Sequence, residues 1–177
     1  MPAIQPCELP EGALLHKYRD SGAYTDCYVT EVAWPVSQAE YVEAFYTTTV
    51  FKLERQLLTW FASRPSTDIE AGQLAAGALS SFAAWSVEGQ TSHQLLLCDF
   101  AGRTRSWLMA VPVEDADPCD RTRLYFGSAV VPMTSAGSGK KTLGFAFRSL
   151  LGFHKLYSRV LLHAAKARLA RQRPKVR

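Results

Sequence analysis

The sequence predicts an α+β domain: one curved, antiparallel β-sheet packed against a long C-terminal helix, with a helical insertion after the first strand. Three observations carry this. Four strand-like runs follow one another between Ser81 and Pro132, joined by short turn signals. A fifth run, Tyr24–Trp34, comes earlier and is separated from them by helix-forming segments. From Thr142 to about Arg171 the pattern is helical throughout, an element roughly 45 Å long at 1.5 Å per residue.

Residues 1–22, with Pro2, Pro6 and Pro10, read as an irregular lead-in. Tyr24–Trp34 is aromatic and β-branched, and Pro35 stops it. Ser37 and Glu40 form an S-x-x-E capping box that starts a helix near Gln38. The β-branched run Thr47-Thr48-Thr49-Val50 predicts a bend. A second helix, Phe51 to Phe61, closes before Arg64-Pro65, and Ser66 or Thr67 caps a third that runs to about Ala78. The four later strands are Ser81–Glu88, His93–Phe100, Thr104–Val113 and Arg121–Pro132, with Ala101-Gly102 as a tight hairpin turn. Met133–Lys141 reads as a Gly/Ser linker. On the long helix, Leu143, Phe147, Leu150, His154, Tyr157, Leu161, Ala164 and Ala165 share one broad face, and Arg148, Lys155, Arg159 and Lys166 fall opposite. The expected organisation is a single domain over 1–177, ending in a frayed basic tail at 172–177.

Composition excludes several classes. Apolar residues make up 47% and charged residues 20%, a globular balance that argues against wholesale disorder. No apolar run is long enough to span a membrane, and the first residues lack the basic and apolar regions of a secretory signal, so a cytoplasmic location is expected. Net charge is +4, but residues 1–120 carry 7 Lys/Arg against 16 Asp/Glu, and residues 121–177 carry 13 Lys/Arg and no acid. The basic third can lie across the acidic body or meet an anionic partner. Cys7, Cys27, Cys98 and Cys119 form no CxxC pair, and Cys27 and Cys98 read as small core residues. No HxxxH or HExxH spacing appears, so no metal site is expected, and no cofactor motif is complete. In Ser135–Thr142 (SAGSGKKT), Thr134 stands where a phosphate loop needs its first Gly and Lys141 where it needs Ser or Thr, so the stretch reads as a linker.

Tyr24–Trp34, Ser37–Phe61, Ser81–Pro132 and Thr142–Arg171 together resemble the layout of the helix-grip, or START-like, superfamily. The segments TDCYVTEV, EAFYTT, FKLER, CDFAGRTRSWL, LYFGSAVVP and LLGFHKLYSRVLL are also similar to an uncharacterised bacterial family with this layout. The resemblance implies a curved sheet gripping the long helix with a cavity between them, and implies no reaction. Five strands are fewer than the six or seven of many START-like domains, which allows a smaller or closed cavity.

His154 is the titratable side chain at the centre of the apolar helix face; it serves either as a base or ligand anchor or as a satisfied core histidine. Tyr157 follows at i+3 and can border the same space. Arg105 and Arg123 could clamp an anion, with Tyr125 and Trp107 as apolar neighbours. Alternatively, Asp99 pairs with Arg103 or Arg105 across the hairpin, and Arg121 and Arg123 decorate a solvent face. Glu54 lies in an otherwise apolar helix and points either inward to a partner or out to water. The candidate ligand-binding set is therefore His154, Tyr157, Arg105, Arg123, Tyr125, Trp107 and Glu54, with no catalytic residue assigned.

These residues fit best a module that binds an apolar or aromatic small molecule in a cavity between sheet and helix. One alternative is an enzyme of cyclase, dehydratase or hydrolase type on the same scaffold, using His154, Tyr157, Glu54 or Asp99 as acid or base. The other is an interaction protein using the basic helix stripe. A nucleic-acid or membrane-surface partner is not expected, and the oligomeric state is not encoded in a readable form.

Overall fold

The strand segments form one seven-stranded antiparallel sheet, seen in a computed structural model that describes residues 3–53, 66–113, 121–131, 133–134, 141–142 and 145–173. Its strands are β1 (Gln5–Pro6), β2 (Tyr24–Val32), β3 (Ser81–Phe82), β4 (Trp85–Gln90), β5 (Gln94–Asp99), β6 (Thr104–Pro112) and β7 (Thr122–Val130). Their spatial order is β1-β2-β7-β6-β5-β4-β3. After β2 the chain crosses the sheet through helices and re-enters at the far edge. It then returns strand by strand until β7 pairs with β2 along its whole length, from Tyr24↔Val130 to Val32↔Thr122. A separate two-stranded ribbon, β8 (Met133–Thr134) with β9 (Lys141–Thr142), interrupts the expected linker, whose residues 135–140 lie outside the described ones.

The helices are α1 (His16–Asp20), α2 (Gln38–Tyr46), α3 (Asp68–Ala75) and α4 (Phe145–Gln172). The expected capping box of Ser37 with Glu40 starts α2, and of the two candidate caps for α3 the structure uses Thr67, in a box with Glu70. The bend after Tyr46 falls where Thr47 and Thr48 return their hydroxyls to the carbonyls of Glu43 and Phe45. The chain is helical again over 49–53, and the rest of the expected second helix lies outside the described residues.

Two differences from the sequence reading matter for function. First, the run Ser81–Glu88 is broken into β3 and β4 at Ala83, whose φ of 52° is unusual for a residue with a side chain. This break and β1 raise the strand number from the expected five to seven. Second, residues 1–22 are not an irregular lead-in. Residues 3–22 supply β1 and α1 and pack on one face of the sheet, where Ala13 and Leu15 meet Cys27, Leu96, Trp107, Met109, Tyr125 and Ala129.

The sheet therefore has two apolar faces. Residues 26, 28, 30 and 32 of β2 and 124, 126 and 128 of β7 face the helices, and the residues between them face the N-terminal segment. The helix side is filled by rings: Phe45 lies 4.9 Å from Phe126, and Phe51 lies 4.8 Å from Tyr46 between ring centroids. α4 packs against α2, β2 and β7, not across the sheet centre, which α2 covers at β6.

Candidate functional site

Seven residues were singled out by sequence, and the two-residue period of the strands sorts them. Arg105, Trp107, Arg123 and Tyr125 occupy odd positions of β6 and β7, so they face the N-terminal segment. His154 and Tyr157 lie on α4, on the opposite side. The sheet stands between the two groups. Glu54 lies outside the described residues.

On the N-terminal side the arginines are engaged. Arg105 donates to Glu88 Oε2 at 2.6 Å and to the Tyr18 hydroxyl at 2.7 Å, with its guanidinium 4.6 Å from the Tyr18 ring centroid. Glu88 reaches this cluster because a β-bulge between Val87 and Gly89 leaves it without a partner in β5. Burial raises the Glu88 carboxyl, but hydrogen bonds from Lys17 and Tyr18 and the charge of Arg105 outweigh it and hold the group below its usual range. Arg123 donates to Glu31 Oε1 at 2.8 Å, and Arg121 pairs with the same carboxylate. Asp99 bonds neither flanking arginine side chain: its Oδ1 accepts from the backbone amides of Arg103 (2.7 Å) and Thr104 (3.0 Å) and shapes the hairpin turn. Tyr125 and Trp107 are buried, and Trp107 Nε1 donates to Gln94 Oε1 at 2.9 Å. This set ties the N-terminal segment down.

On the helix side, His154 meets Asp26 and Ser128, which the sequence reading did not name. His154 Nε2 lies 2.8 Å from Ser128 Oγ and 3.4 Å from Asp26 Oδ2, and the Tyr24 ring stands edge-on at 6.3 Å. Asp26 and Ser128 are direct register partners across β2 and β7. The three types suggest a hydrolase triad, but the proton runs the wrong way. Ser128 Oγ donates to Asp26 Oδ1 at 2.6 Å, so its proton is directed at the carboxylate and not at the imidazole. Ser128 is also buried. The trio docks α4 on the sheet. Only strand pairing brings Asp26 and Ser128 together, and no local signal in the sequence announces it.

An apolar depression lies along the β2 side of α4, an open groove of about 1060 Å³. Ile4, Val32, Ala33, Trp34, Val160, Ala167 and Ala170 supply its apolar walls. Arg159, His163, Lys166 and Arg171 supply basic groups, and Glu31, already held by two arginines, is the acid at its border. Trp34 is half-buried, with the Arg173 guanidinium 5.2 Å from its ring centroid.

Lys166 corrects the sequence reading. It was placed on the outer stripe with Lys155 and Arg159, both of which are exposed, yet Lys166 is only 7% exposed and its Nζ donates to Thr30 Oγ1 at 2.9 Å. The apolar face holds Leu161, Leu162, Ala165 and Leu169, rotated from the expected one, while Val160 and Leu156 are exposed. Lys166 follows buried Leu162 by four positions and precedes buried Leu169 by three, so a buried face turned toward those two leucines brings position 166 to its edge. Burial pulls the Lys166 amine below its ordinary range, partly opposed by the Glu31 charge.

Among the described residues no His, Cys, Asp and Glu group has the arrangement to hold a metal ion, and no helix is long and apolar enough to cross a membrane. No family model matches the chain, and neither the curated proteins nor the solved structures compared with it give a match.

Proposed function

We propose that the chain is a binding module whose groove beside α4 takes an apolar molecule bearing one negative charge, such as a fatty acid or an aromatic carboxylate. The observation that carries this reading is Lys166: a nearly buried ammonium at the border of an apolar groove. Its Nζ already donates to Thr30 and lies within the field of Glu31, and an anion in the groove would add to these contacts beside the neighbouring basic groups. Val32, Trp34, Ala167 and Ala170 would cover the apolar body, and Arg159 and Arg171 add long-range attraction. At about 1060 Å³ the groove stands at the upper end of small-molecule sites. The sequence's resemblance to the helix-grip layout, which implies a ligand space between sheet and long helix, supports the same reading, with the groove opening at the sheet edge.

Trp34 makes the test direct. Its fluorescence is followed while dodecanoate or dodecanol is added to the full chain and to Lys166→Met, with Trp34→Phe identifying the signal. Saturable binding of dodecanoate is expected. Removing either charge, by the alcohol or by Lys166→Met, should weaken binding about tenfold or more, the equivalent of about 1.4 kcal/mol. Equal affinity for acid and alcohol, or no saturable change, overturns the reading.

A further inference from the structure

Cys7 and Cys27 look unrelated in sequence, twenty positions apart, but the N-terminal segment brings them together. β1 pairs with β2 as Gln5↔Val29 and Pro6↔Tyr28, and one step further the Cys7 amide donates to the Cys27 carbonyl at 3.0 Å. Their sulfurs lie 3.3 Å apart, both as free thiols. Residues opposed in an antiparallel pair have Cα atoms about 4.5–5.5 Å apart, inside the range a disulfide spans. We propose that Cys7 and Cys27 form a reactive dithiol site that hydroperoxides oxidise to an internal disulfide, which thiols reverse.

The two sulfurs differ in the way such a site needs. Cys7 is half-buried and borders an open depression of about 290 Å³ with Arg19 and Cys27 on its walls, so a small oxidant reaches it. Cys27 is 5% exposed, and its sulfur shares a hydrogen bond with the outer one. That hydrogen bond, reinforced by the Arg123 charge against partial burial, lowers the Cys7 thiol, and the same contact with burial raises Cys27. Cys98, by contrast, is raised, chiefly by burial.

In the first step the Cys7 thiolate attacks a peroxide oxygen. An S–O bond forms, the O–O bond breaks, and the departing oxygen leaves as water after taking a proton. The Cys27 sulfur then attacks the sulfenic sulfur of Cys7. The S–S bond forms, the S–O bond breaks, and hydroxide leaves with the Cys27 proton as a second water. The thiol pair loses two electrons and hydrogen peroxide gains them. The product fastens residues 3–10 to the edge of β2. Because Ile4 is part of the groove wall, the bridge would also fix that wall; this last consequence depends on the binding role, whereas the bridge does not.

The test uses the full chain with hydrogen peroxide as the oxidant. Samples are quenched with iodoacetamide and digested with trypsin, which separates the two cysteines by cutting after Lys17 and Arg19. A linked peptide joining Cys7 to Cys27 is expected, thiols counted after denaturation should fall from four to two, and dithiothreitol should restore them. Cys98→Ser should leave the bridge intact, and Cys27→Ser should replace it with higher oxidation of Cys7 or dimers through Cys7. Bridges through Cys98 or Cys119, or sulfinic acid on Cys7 in the unmutated chain without a linked peptide, overturn the proposal.

Discussion

Replacing Gln94 with Leu isolates what fixes the N-terminal segment to the sheet. Gln94 is buried on β5, and its amide makes three bonds: Oε1 accepts from Trp107 Nε1 and from the Leu14 amide, each at 2.9 Å, and Nε2 donates to the Gly12 carbonyl at 3.1 Å. Leucine is of similar size but makes none of them. Trp107 is fully buried, so its indole N–H is left without a partner and costs about 1–3 kcal/mol. The Leu14 amide is partly buried and adds about 1 kcal/mol, while Gly12 is exposed and turns to water at little cost. The sum is a loss of about 2–4 kcal/mol, read as a lower urea midpoint by tryptophan fluorescence. Amide exchange at Leu14 should accelerate together with the loss of stability. An unchanged midpoint, or an unchanged Leu14 amide, would refute the idea that this side chain fastens residues 12–14 to the sheet.

Three further expectations follow from packing and charge. A Cβ at Gly127 would lie 2.8 Å from Leu15 Cδ1 and 2.9 Å from the Asp26 carbonyl, so Gly127→Ala should cost about 1–3 kcal/mol in denaturant titrations; a neutral result would show that the N-terminal segment does not press on β7 there. Leu162 on α4 is fully buried, and Leu162→Ala should cost about 2–5 kcal/mol, whereas exposed Leu156→Ala should change little; equal effects would contradict the orientation of the helix. The Arg123 hydrogen bond and the two arginine charges hold the Glu31 carboxyl below its ordinary value of 4.5. The pair's contribution is therefore full above that pH and is lost as pH falls through the lower folded value. Glu31→Gln should flatten the acid side of the stability–pH curve, and parallel curves for the two proteins would deny the pairing.

Legibility in the sequence followed the range of the forces involved. Caps act within three residues, so the Ser37–Glu40 box was readable and formed, and Thr67 was one of the two caps expected for α3. Strands of six to nine residues were readable too, because each carries its own pattern. β1 and α1 were not: a two-residue strand containing Pro6 and a five-residue helix have no stable pattern of their own, and pairing with β2 holds the first while packing of Ala13 and Leu15 anchors the second. Missing them hid the second face of the sheet. With both faces apolar, runs such as Leu95-Leu96-Leu97 and Trp107-Leu108-Met109 lose the alternation that would assign Arg105, Trp107, Arg123 and Tyr125 to one side. The meetings of His154 with Asp26 and Ser128, and of Cys7 with Cys27, depend on register between distant strands, which sequence spacing alone does not show.

The central claim is that the groove beside α4 is the binding site, and a photoreactive fatty acid tests where binding occurs. The full chain is irradiated with a diazirine-labelled fatty acid, with excess unlabelled dodecanoate as competitor, and the adducts are located by peptide mapping. The groove account expects competable labelling on 31–34 and 159–171, reduced in Lys166→Met. Labelling that survives competition, or that gathers on the opposite face around Tyr18 and Arg105, would contradict it.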